Sequence, residues 1–332
     1  MLHLYWSFLT RLPVSAVLLP AVVTTGELPT RKIPNLGPSA EFYFAPDSYR
    51  IIGTAKRDGD ETYHVYVADL DGRDIRRIND RGDDACSFFF PNGQRVVWTS
   101  TRDHPELDKG DYSDPQRYPQ GAELYSSKPD GSDRRRLTDN QQYDAEVSVS
   151  ADGRWILFGR QTAGKLDLWR MRPDGSSQQQ ITHLNGWQPG GAQYMPDSHT
   201  ILFRAWKVED EKAKKGGLPM TIYTVRDDGS GLHRVTTDEG TNWAPYPAPD
   251  GRHFAFVKVV PPHNYEIYLG DLQSSEQVRL TDNDAFDGFP AISPDGKWLL
   301  FSSSRDASAG SRSLTQYVMD ISSLGVGPAG RK

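Results

Sequence analysis

The sequence predicts an all-β fold, namely a six-bladed β-propeller with four-stranded antiparallel blades. Two observations support this: a tight turn recurs six times, and a fixed series of strand-like segments follows each copy. The Asp or Asn residues of the recurring turn are Asp47, Asn92, Asp152, Asp197, Asp250 and Asp295. Three of the five intervals are 45 residues and the others are 60 and 53, which indicates one repeated unit with two insertions. Periods of about 40–50 residues with several short strands are typical of propellers.

Each unit contains four predicted strands, a to d, from the centre of the ring outwards. A short apolar run follows the first turn, as at residues 298–301, and such runs suit strands that are buried on both faces. In the first four units an Asp-Gly pair such as Asp71-Gly72 then predicts a second hairpin, because Gly adopts positive φ at little cost. A short fourth strand follows, as at residues 135–138.

The last unit lacks its fourth strand, and a matching segment lies near the N-terminus. Residues 31–33 (Arg-Lys-Ile) resemble residues 135–137 (Arg-Arg-Leu), and they precede the next turn at nearly the same spacing. We therefore expect the N-terminal segment to pair with the sixth blade and to close the ring. This gives a single propeller domain over residues 28–325, with a tail at 326–332.

Residues 1–27 resemble a secretory signal. Arg11 precedes a short apolar stretch at residues 12–23, and small residues follow it. The stretch is too short, and too interrupted by proline, for a membrane span. The segment predicts a periplasmic or secreted protein, and an unusual N-terminal arm is the alternative.

Composition excludes several classes of site. The formal net charge of −6 and the lack of a basic stripe predict no nucleic-acid partner. The single cysteine, Cys86, excludes an internal disulfide and a cysteine-based zinc cluster. We expect it to be a buried, inert thiol at the start of an inner strand.

The repeat resembles that of the TolB-type propeller family. The resemblance rests on residues 279–282 (Arg-Leu-Thr-Asp) and 293–301 (Ser-Pro-Asp-Gly and the apolar run after it), and it extends over residues 30–322. TolB proteins carry an α/β domain ahead of the propeller, and fewer than 40 residues precede the first blade here. We therefore do not expect the TolA-binding role of that domain to transfer. Prolyl oligopeptidase-like enzymes have similar repeats ahead of a catalytic domain, but no Gly-x-Ser-x-Gly elbow occurs in this sequence.

In such blades the d–a and b–c connections share one face, here called the loop face. The a–b and c–d turns share the other, here called the turn face. Both insertions fall in b–c connections: the first insertion lies within residues 102–122 and the second insertion within 207–219. Extra loop length on one face indicates a recognition surface, and neutral, solvated insertions are the alternative.

Candidate ligand-binding residues cluster on the predicted loop face. Acidic residues and an Asn could form a partial ring that holds a cation or a basic group, or they could cap their own turns. Tryptophans could stack on a sugar ring or a peptide side chain, or pack between blades. Arg and Lys side chains could clamp an anion, or form ion pairs between blades. The set is Asp84, Asp144, Glu146, Arg160, Trp187, Arg204, Asn242, Trp243, Lys258 and Asp287.

The sequence favours binding over catalysis. The eight histidines are too scattered to predict a metal site, and the EF-hand-like segment 282–288 has Phe286 at a ligand position. We expect no cofactor, while a structural or channel cation such as calcium remains open. The predicted function is an exported, monomeric, non-catalytic TolB-like propeller that binds a protein or glycan on the loop face. The alternative is a lyase or hydrolase acting on carbohydrate or peptide at the same channel mouth.

Overall fold

The computed structural model of the chain describes residues 22–24, 28–212, 218–308, 311 and 313–329. Six sheets form the six blades of a propeller around a central channel. In each blade four strands follow one another in antiparallel order from the channel to the rim. The predicted fold class is therefore confirmed.

Two strands precede the first complete blade, and three blades follow. The two strands are β1 (Val22–Thr24) and β2 (Thr30–Lys32). Blade 1 consists of β3 (Ser39–Phe44), β4 (Arg50–Ala55), β5 (His64–Asp69) and β6 (Arg76–Arg77), and blade 2 of β7 (Asp84–Phe89), β8 (Val96–Ser100), β9 (Glu123–Ser127) and β10 (Arg135–Arg136). Blade 3 consists of β11 (Tyr143–Val149), β12 (Ile156–Thr162), β13 (Lys165–Met171) and β14 (Gln179–Gln180).

Three further blades and two 3-10 helices complete the described chain. They are blade 4 with β15 (Trp187–Tyr194), β16 (Thr200–Lys207), η1 (Val208–Lys212), β17 (Thr221–Arg226) and β18 (His233–Arg234); blade 5 with β19 (Asn242–Pro247), β20 (His253–Val260), β21 (Asn264–Asp271) and β22 (Gln277–Arg279); and blade 6 with β23 (Asp287–Ile292), β24 (Trp298–Ser303) and β25 (Thr315–Asp320), followed by η2 (Ser322–Leu324).

The recurring turn joins the first two strands of every blade, and its chemistry is local. In the first blade, Oδ1 of Asp47 accepts hydrogen bonds from the backbone N–H groups of Tyr49, at 3.0 Å, and Arg50, at 2.8 Å. The turn Asp or Asn of the other five blades accepts an equivalent bond from the residue two positions on. Asx turns of this kind need only a short side chain with an oxygen, which is why the pattern is visible in the sequence.

The N-terminal segment closes the ring as predicted. Strand β2 pairs antiparallel with β25, with Thr30 opposite Met319 and Lys32 opposite Tyr317. Ile33 and Leu36 then enter the core between blades 1 and 6, where each is about 1% exposed. The sixth blade therefore consists of strands from both ends of the described chain.

Strand β1 adds a fifth, parallel strand to the outer edge of blade 5, next to β22. It lies within the predicted secretory segment, and the rest of that segment, residues 1–21 and 25–27, lies outside the described residues.

At the C-terminal end of the described chain, Val326 lies just past the predicted limit of the propeller and is fully buried against blades 5 and 6.

Both insertions lie in b–c connections, on the loop face. The first insertion joins β8 to β9, and the second joins β16 to β17 and includes η1. Residues 213–217 of the second insertion are not among the described residues.

Candidate functional site

The innermost strand of every blade contains a β-bulge. In β3 the pairing register with β4 shifts between Ala40 and Tyr43. Equivalent shifts occur in β7, β11, β15, β19 and β23. A bulge inserts one extra residue and re-aims the side chains around it. The six bulges therefore form a ring of re-aimed side chains.

The bulge residues have left-handed backbone conformations and lie six positions before the turn Asp or Asn of their blade. Residues other than glycine rarely adopt this backbone conformation, which costs them about 1–2 kcal/mol. Backbone strain of this kind concentrates at functional sites. We call these six residues the bulge ring: Glu41 (φ 58°), Cys86 (38°), Glu146 (56°), Gly191 (56°), Ala244 (48°) and Phe289 (52°).

All six residues of the bulge ring line one large cavity, here called the channel-mouth cavity. Its volume is about 1140 Å³, above the usual size of a small-molecule site. The first insertion contributes Tyr112 and Tyr118 to its wall, and the second contributes Leu218. The cavity therefore opens on the loop face, and the two insertions build part of it.

Aromatic side chains make up much of the cavity wall. Tyr118 of the first insertion stacks on Tyr143 of blade 3, with ring centroids 4.1 Å apart, which anchors the insertion to the propeller. Trp243 packs edge-on against Phe289 at 4.7 Å. Large rings offer apolar area for binding, and the tyrosines add a hydroxyl. The aromatic lining residues are Tyr43, Tyr112, Tyr118, Tyr143, Trp206, Trp243, Tyr246, Tyr265, Phe286 and Phe289.

Glu41 is a carboxyl group with few hydrogen-bond donors around it. The Cys86 thiol lies 3.5 Å from Oε2, and the Tyr43 hydroxyl lies 3.3 Å from Oε1. Burial raises the pKa of Glu41 to about 7; the bond from Cys86 lowers it, and the charge of Glu146 raises it further. Burial and the charge of Glu41 also raise the pKa of the Cys86 thiol well above its usual value. Cys86 is buried, as expected, and the inertness of its thiol stays a prediction.

Glu146 and Arg204 form an ion pair across blades 3 and 4. Arg204 donates from Nη2 to Oε1 of Glu146 at 2.9 Å, and the backbone N–H of Gly191 donates to Oε2 at 2.7 Å. The Arg204 side chain is only 5% exposed, and its guanidinium lies over the Trp206 ring, 4.4 Å from the centroid. A buried pair of this kind holds both side chains in fixed positions.

Two nitrogens of Arg204 remain without an acceptor. Within the described part of the chain, Nε and Nη1 are buried and have no hydrogen-bond partner. A Cβ atom at Gly190 would collide with Nη1 and with Oε2 of Glu146, so glycine leaves room here for both partners of the ion pair. Buried donors that are left unpaired are uncommon and costly, and they call for an explanation.

Other predicted site residues lie inside blades, in hydrogen-bonded clusters. Asp144 is fully buried and accepts two bonds of 2.7 Å from Arg160 and one of 2.9 Å from Asn140. Asp287 accepts bonds from Arg305 at 2.7 Å and from Asn283 at 2.6 Å. These acids are therefore engaged with donors of their own blade.

The same arrangement recurs with variations in blades 2 and 5. Asp84 accepts bonds from Asn79 at 2.6 Å and from the Val65 N–H at 3.0 Å, and burial raises its pKa. Asn242 donates to Asp238 at 3.2 Å, and Lys258 lies 3.4 Å from the same carboxylate oxygen. These six predicted residues make contacts within their blades and, for Asp84, with the preceding blade. Their role in ligand binding stays a prediction.

The two predicted tryptophans occupy different places on the loop face. Trp243 lines the channel-mouth cavity, together with Glu146 and Arg204 of the predicted set. Trp187 lies outside the cavity lining and packs edge-on against Tyr223, with Lys207 over its ring at 5.7 Å. The cavity thus brings together three of the ten predicted residues.

Sequence reasoning missed much of the cavity wall. The aromatic residues Tyr43, Tyr246 and Phe289 were not among the candidates. A signal for them was present, because the bulge ring repeats with the same intervals as the turn. The side chains at the ring positions share no chemistry, however, so the repeat is visible there only as spacing.

The described residues contain no cluster of potential metal ligands. Among them, no three His, Cys, Asp or Glu side chains are arranged to hold a metal ion. His263 lines the cavity, and His104 is part of the first insertion. Whether the protein takes a cation or another cofactor stays a prediction.

Comparison with solved structures places this fold among known propellers. TolB from Acinetobacter baumannii matches with a TM-score of 0.60 and 18% identity, over 82% of this chain and 63% of that chain. A putative TolB from Agrobacterium tumefaciens matches with a TM-score of 0.59 and 19% identity, over 88% and 96%. The chain folds as a TolB-type propeller. At these identities the likeness concerns the fold alone.

Enzymes share this fold as well. Oligogalacturonate lyase in complex with manganese matches with a TM-score of 0.56 and 14% identity, over 88% of this chain and 96% of that chain. Puromycin hydrolase matches with a TM-score of 0.51 over 80% of this chain and 44% of that one. Solved structures that share this propeller fold therefore include enzymes.

Sequence comparisons add one relative. No family model matches the sequence. An uncharacterized protein of Agrobacterium fabrum is 28% identical over 144 residues, which is 42% of this chain and 48% of that protein. The match therefore spans about half of the relative's length.

Among the described residues, no helix is long and apolar enough to cross a membrane.

Proposed function

We propose that this chain is an exported, non-catalytic TolB-type propeller whose loop face binds a protein or glycan ligand, with a segment of that ligand inside the channel-mouth cavity. One observation carries the proposal: the innermost strand of every blade and both insertions converge on a single aromatic-walled cavity of about 1140 Å³.

The shape and chemistry of the cavity suit an extended ligand. Ring faces such as those of Trp243 and Tyr246 bury apolar area, and tyrosine hydroxyls and Gln193 supply hydrogen bonds. Concave, mostly apolar sites with a few convergent polar groups are the usual form of ligand pockets. The volume is sufficient for several sugar units or for a short peptide segment.

Catalysis is the second candidate, and Glu41 is the observation that favours it. A carboxyl whose pKa is about 7 is suited to proton transfer near neutral pH. If the protein is an enzyme, it cleaves members of a carbohydrate or peptide panel, and Glu41→Gln lowers the rate by 100-fold or more, in line with the roughly 10²–10⁴-fold effect of general acid–base groups. Absence of turnover across the panel favours the binding role.

A binding screen with two tryptophan variants tests the proposal. Oligosaccharides and short peptides are titrated into the full-length protein by calorimetry. Trp243→Ala removes a wall of the cavity and should weaken binding by about 2 kcal/mol or more, as at an interface hot spot. Trp187→Ala is the matched control, because it removes the same side chain from the same face but outside the cavity.

A charge reversal on the turn face completes the design. Lys297→Glu alters an exposed residue beside the Asp295 turn and should leave affinity nearly unchanged. Circular dichroism must show that each variant is folded. If Lys297→Glu weakens binding and Trp243→Ala does not, the assignment of the ligand to the loop face is wrong.

A further inference from the structure

Arg204 combines three properties that point to a ligand. Its side chain is 95% buried, it lines the channel-mouth cavity, and two of its nitrogens lack acceptors among the described residues. The single ion pair to Glu146 uses only Nη2. Because an unpaired buried donor costs free energy, the site is built at a cost that a bound acceptor would remove.

The surroundings of Arg204 hold the guanidinium in place instead of letting it reach solvent. Trp206 lies beneath it, and Gly190 and Gly191 leave space beside it that a Cβ atom at Gly190 would fill. Arg204 also opposes the burial-driven rise of the Tyr118 pKa, both through its charge and through a side-chain hydrogen bond with the Tyr118 hydroxyl. The position of the charged group is therefore fixed by side chains from blade 4 and from the first insertion.

We propose that the ligand of the channel-mouth cavity carries a carboxylate group and that Arg204 binds it. The inference rests on the proposed function, since it assigns the chemistry of that same site. An arginine donates charge-assisted bonds that are stronger than neutral ones, and its planar donors match a planar carboxylate, which can accept from two nitrogens at once. Glu146 then acts as a positioning residue, because it holds Nη2 and leaves the other donors to the ligand.

A carboxylate can come from two sources that the cavity does not distinguish by charge. One is the C-terminus of a peptide segment, and the other is an acidic sugar unit of a glycan. Both present the same planar group, and the aromatic walls accept either a side chain or a sugar ring. Two pairs of probes separate them: one peptide panel with free or amidated C-termini, and one hexuronic-acid oligomer panel as free acids or methyl esters.

The experiment measures the affinity of the full-length protein for both members of each pair. For one of the two panels we expect the free acid to bind ~10- to 100-fold more tightly than its neutral partner, as the loss of a charged hydrogen bond implies. The double variant Glu146→Gln/Arg204→Gln, which removes both charges together, should abolish this preference. Gly190→Ala should reduce it as well, because its Cβ would displace Nη1 of Arg204 and Oε2 of Glu146 while both charges remain.

The outcomes are distinguishable. If ligands bind in a Trp243-dependent manner but acid and neutral forms bind equally, the carboxylate inference is overturned and the proposed function stands. If no member of either panel binds, both proposals fail. If the double variant does not fold, Gly190→Ala and the acid-to-neutral ratio of the unmodified protein still decide the question.

Discussion

At the scale of single residues, burial decides which charged groups are available to a ligand. Asp144 and Asp287 are fully buried, and arginines of their own blades neutralise them, so they hold strands together. Glu41 and Arg204 are different, because each faces the channel-mouth cavity with part of its bonding capacity unused. The sequence shows all of these residues, but it cannot show which of two neighbouring strands a long side chain turns towards.

The pKa of Glu41 predicts how stability depends on pH. The group has an ordinary pKa near 4.5 when unfolded and about 7 when folded, so the folded state binds its proton more tightly. Its contribution to stability is present below pH 4.5 and is lost as the pH rises through 7. The difference between the two pKa values corresponds to ~3 kcal/mol. The loss is at most that large, because the carboxyl is only half-buried and faces a cavity that water can enter. Glu146, Cys86 and Tyr43 also face this group.

The variant Glu41→Gln isolates this contribution. Relative to the unmodified protein it should change the free energy of unfolding little at pH 4.5 and raise it at pH 8. Denaturant titrations at both pH values measure the difference, and Glu239→Gln at an exposed position is the control. An equal effect of Glu41→Gln at the two pH values would show that Glu41 titrates normally.

At the scale of elements, the turns were predictable and the bulges were not. The turn needs an Asp or Asn at one position for a local hydrogen bond, so its chemistry recurs in the sequence six times. The bulge is a matter of pairing between strands, and residues as different as Glu41, Ala244 and Phe289 occupy it. Tertiary packing sets their conformation, so the amino-acid type alone does not reveal it.

The bulge ring predicts a stabilising glycine substitution. Ala244 has φ of 48°, and the equivalent position in blade 4 is already Gly191. Ala244→Gly relieves a strain of about 1–2 kcal/mol and costs about 0.5–1 kcal/mol of chain entropy, so the free energy of unfolding should rise by up to ~1.5 kcal/mol.

The matched control is Ala40→Gly, next to the bulge residue of blade 1 but with negative φ. It should lower the free energy of unfolding by about 0.5–1 kcal/mol. Chemical denaturation of both variants tests the idea, and a similar loss of stability in the two would mean that the bulge stores no strain.

At the scale of the whole molecule, one short N-terminal strand closes the ring. The sequence predicted this from the spacing of residues 31–33 and from the strand missing in the last repeat. It could not predict the shape of the channel-mouth cavity, because the cavity depends on where two insertions of irregular structure come to rest. Tyr118 stacking on Tyr143 is a contact between residues 25 positions apart that no repeat encodes.

Removal of residues 28–36 tests closure. The deletion exposes the edge of β25 and removes Ile33 and Leu36 from the core, so aggregation and loss of cooperative unfolding should follow. The midpoint of thermal unfolding should fall by roughly 10 °C or more. Removal of residues 328–332, which starts at the exposed Pro328, is the control. A truncated protein with an unchanged midpoint would contradict the closure.

The central claim is that the loop face binds ligand through the channel-mouth cavity, and hydrogen exchange measures this most directly. Backbone exchange is compared with and without the tightest ligand from the peptide and oligosaccharide panels. We expect protection in residues 112–118, 143–147, 241–246 and 286–290, which line the cavity from four directions. Protection confined to the turns around Asp47, Asp152 and Asp295, on the turn face, would contradict the claim.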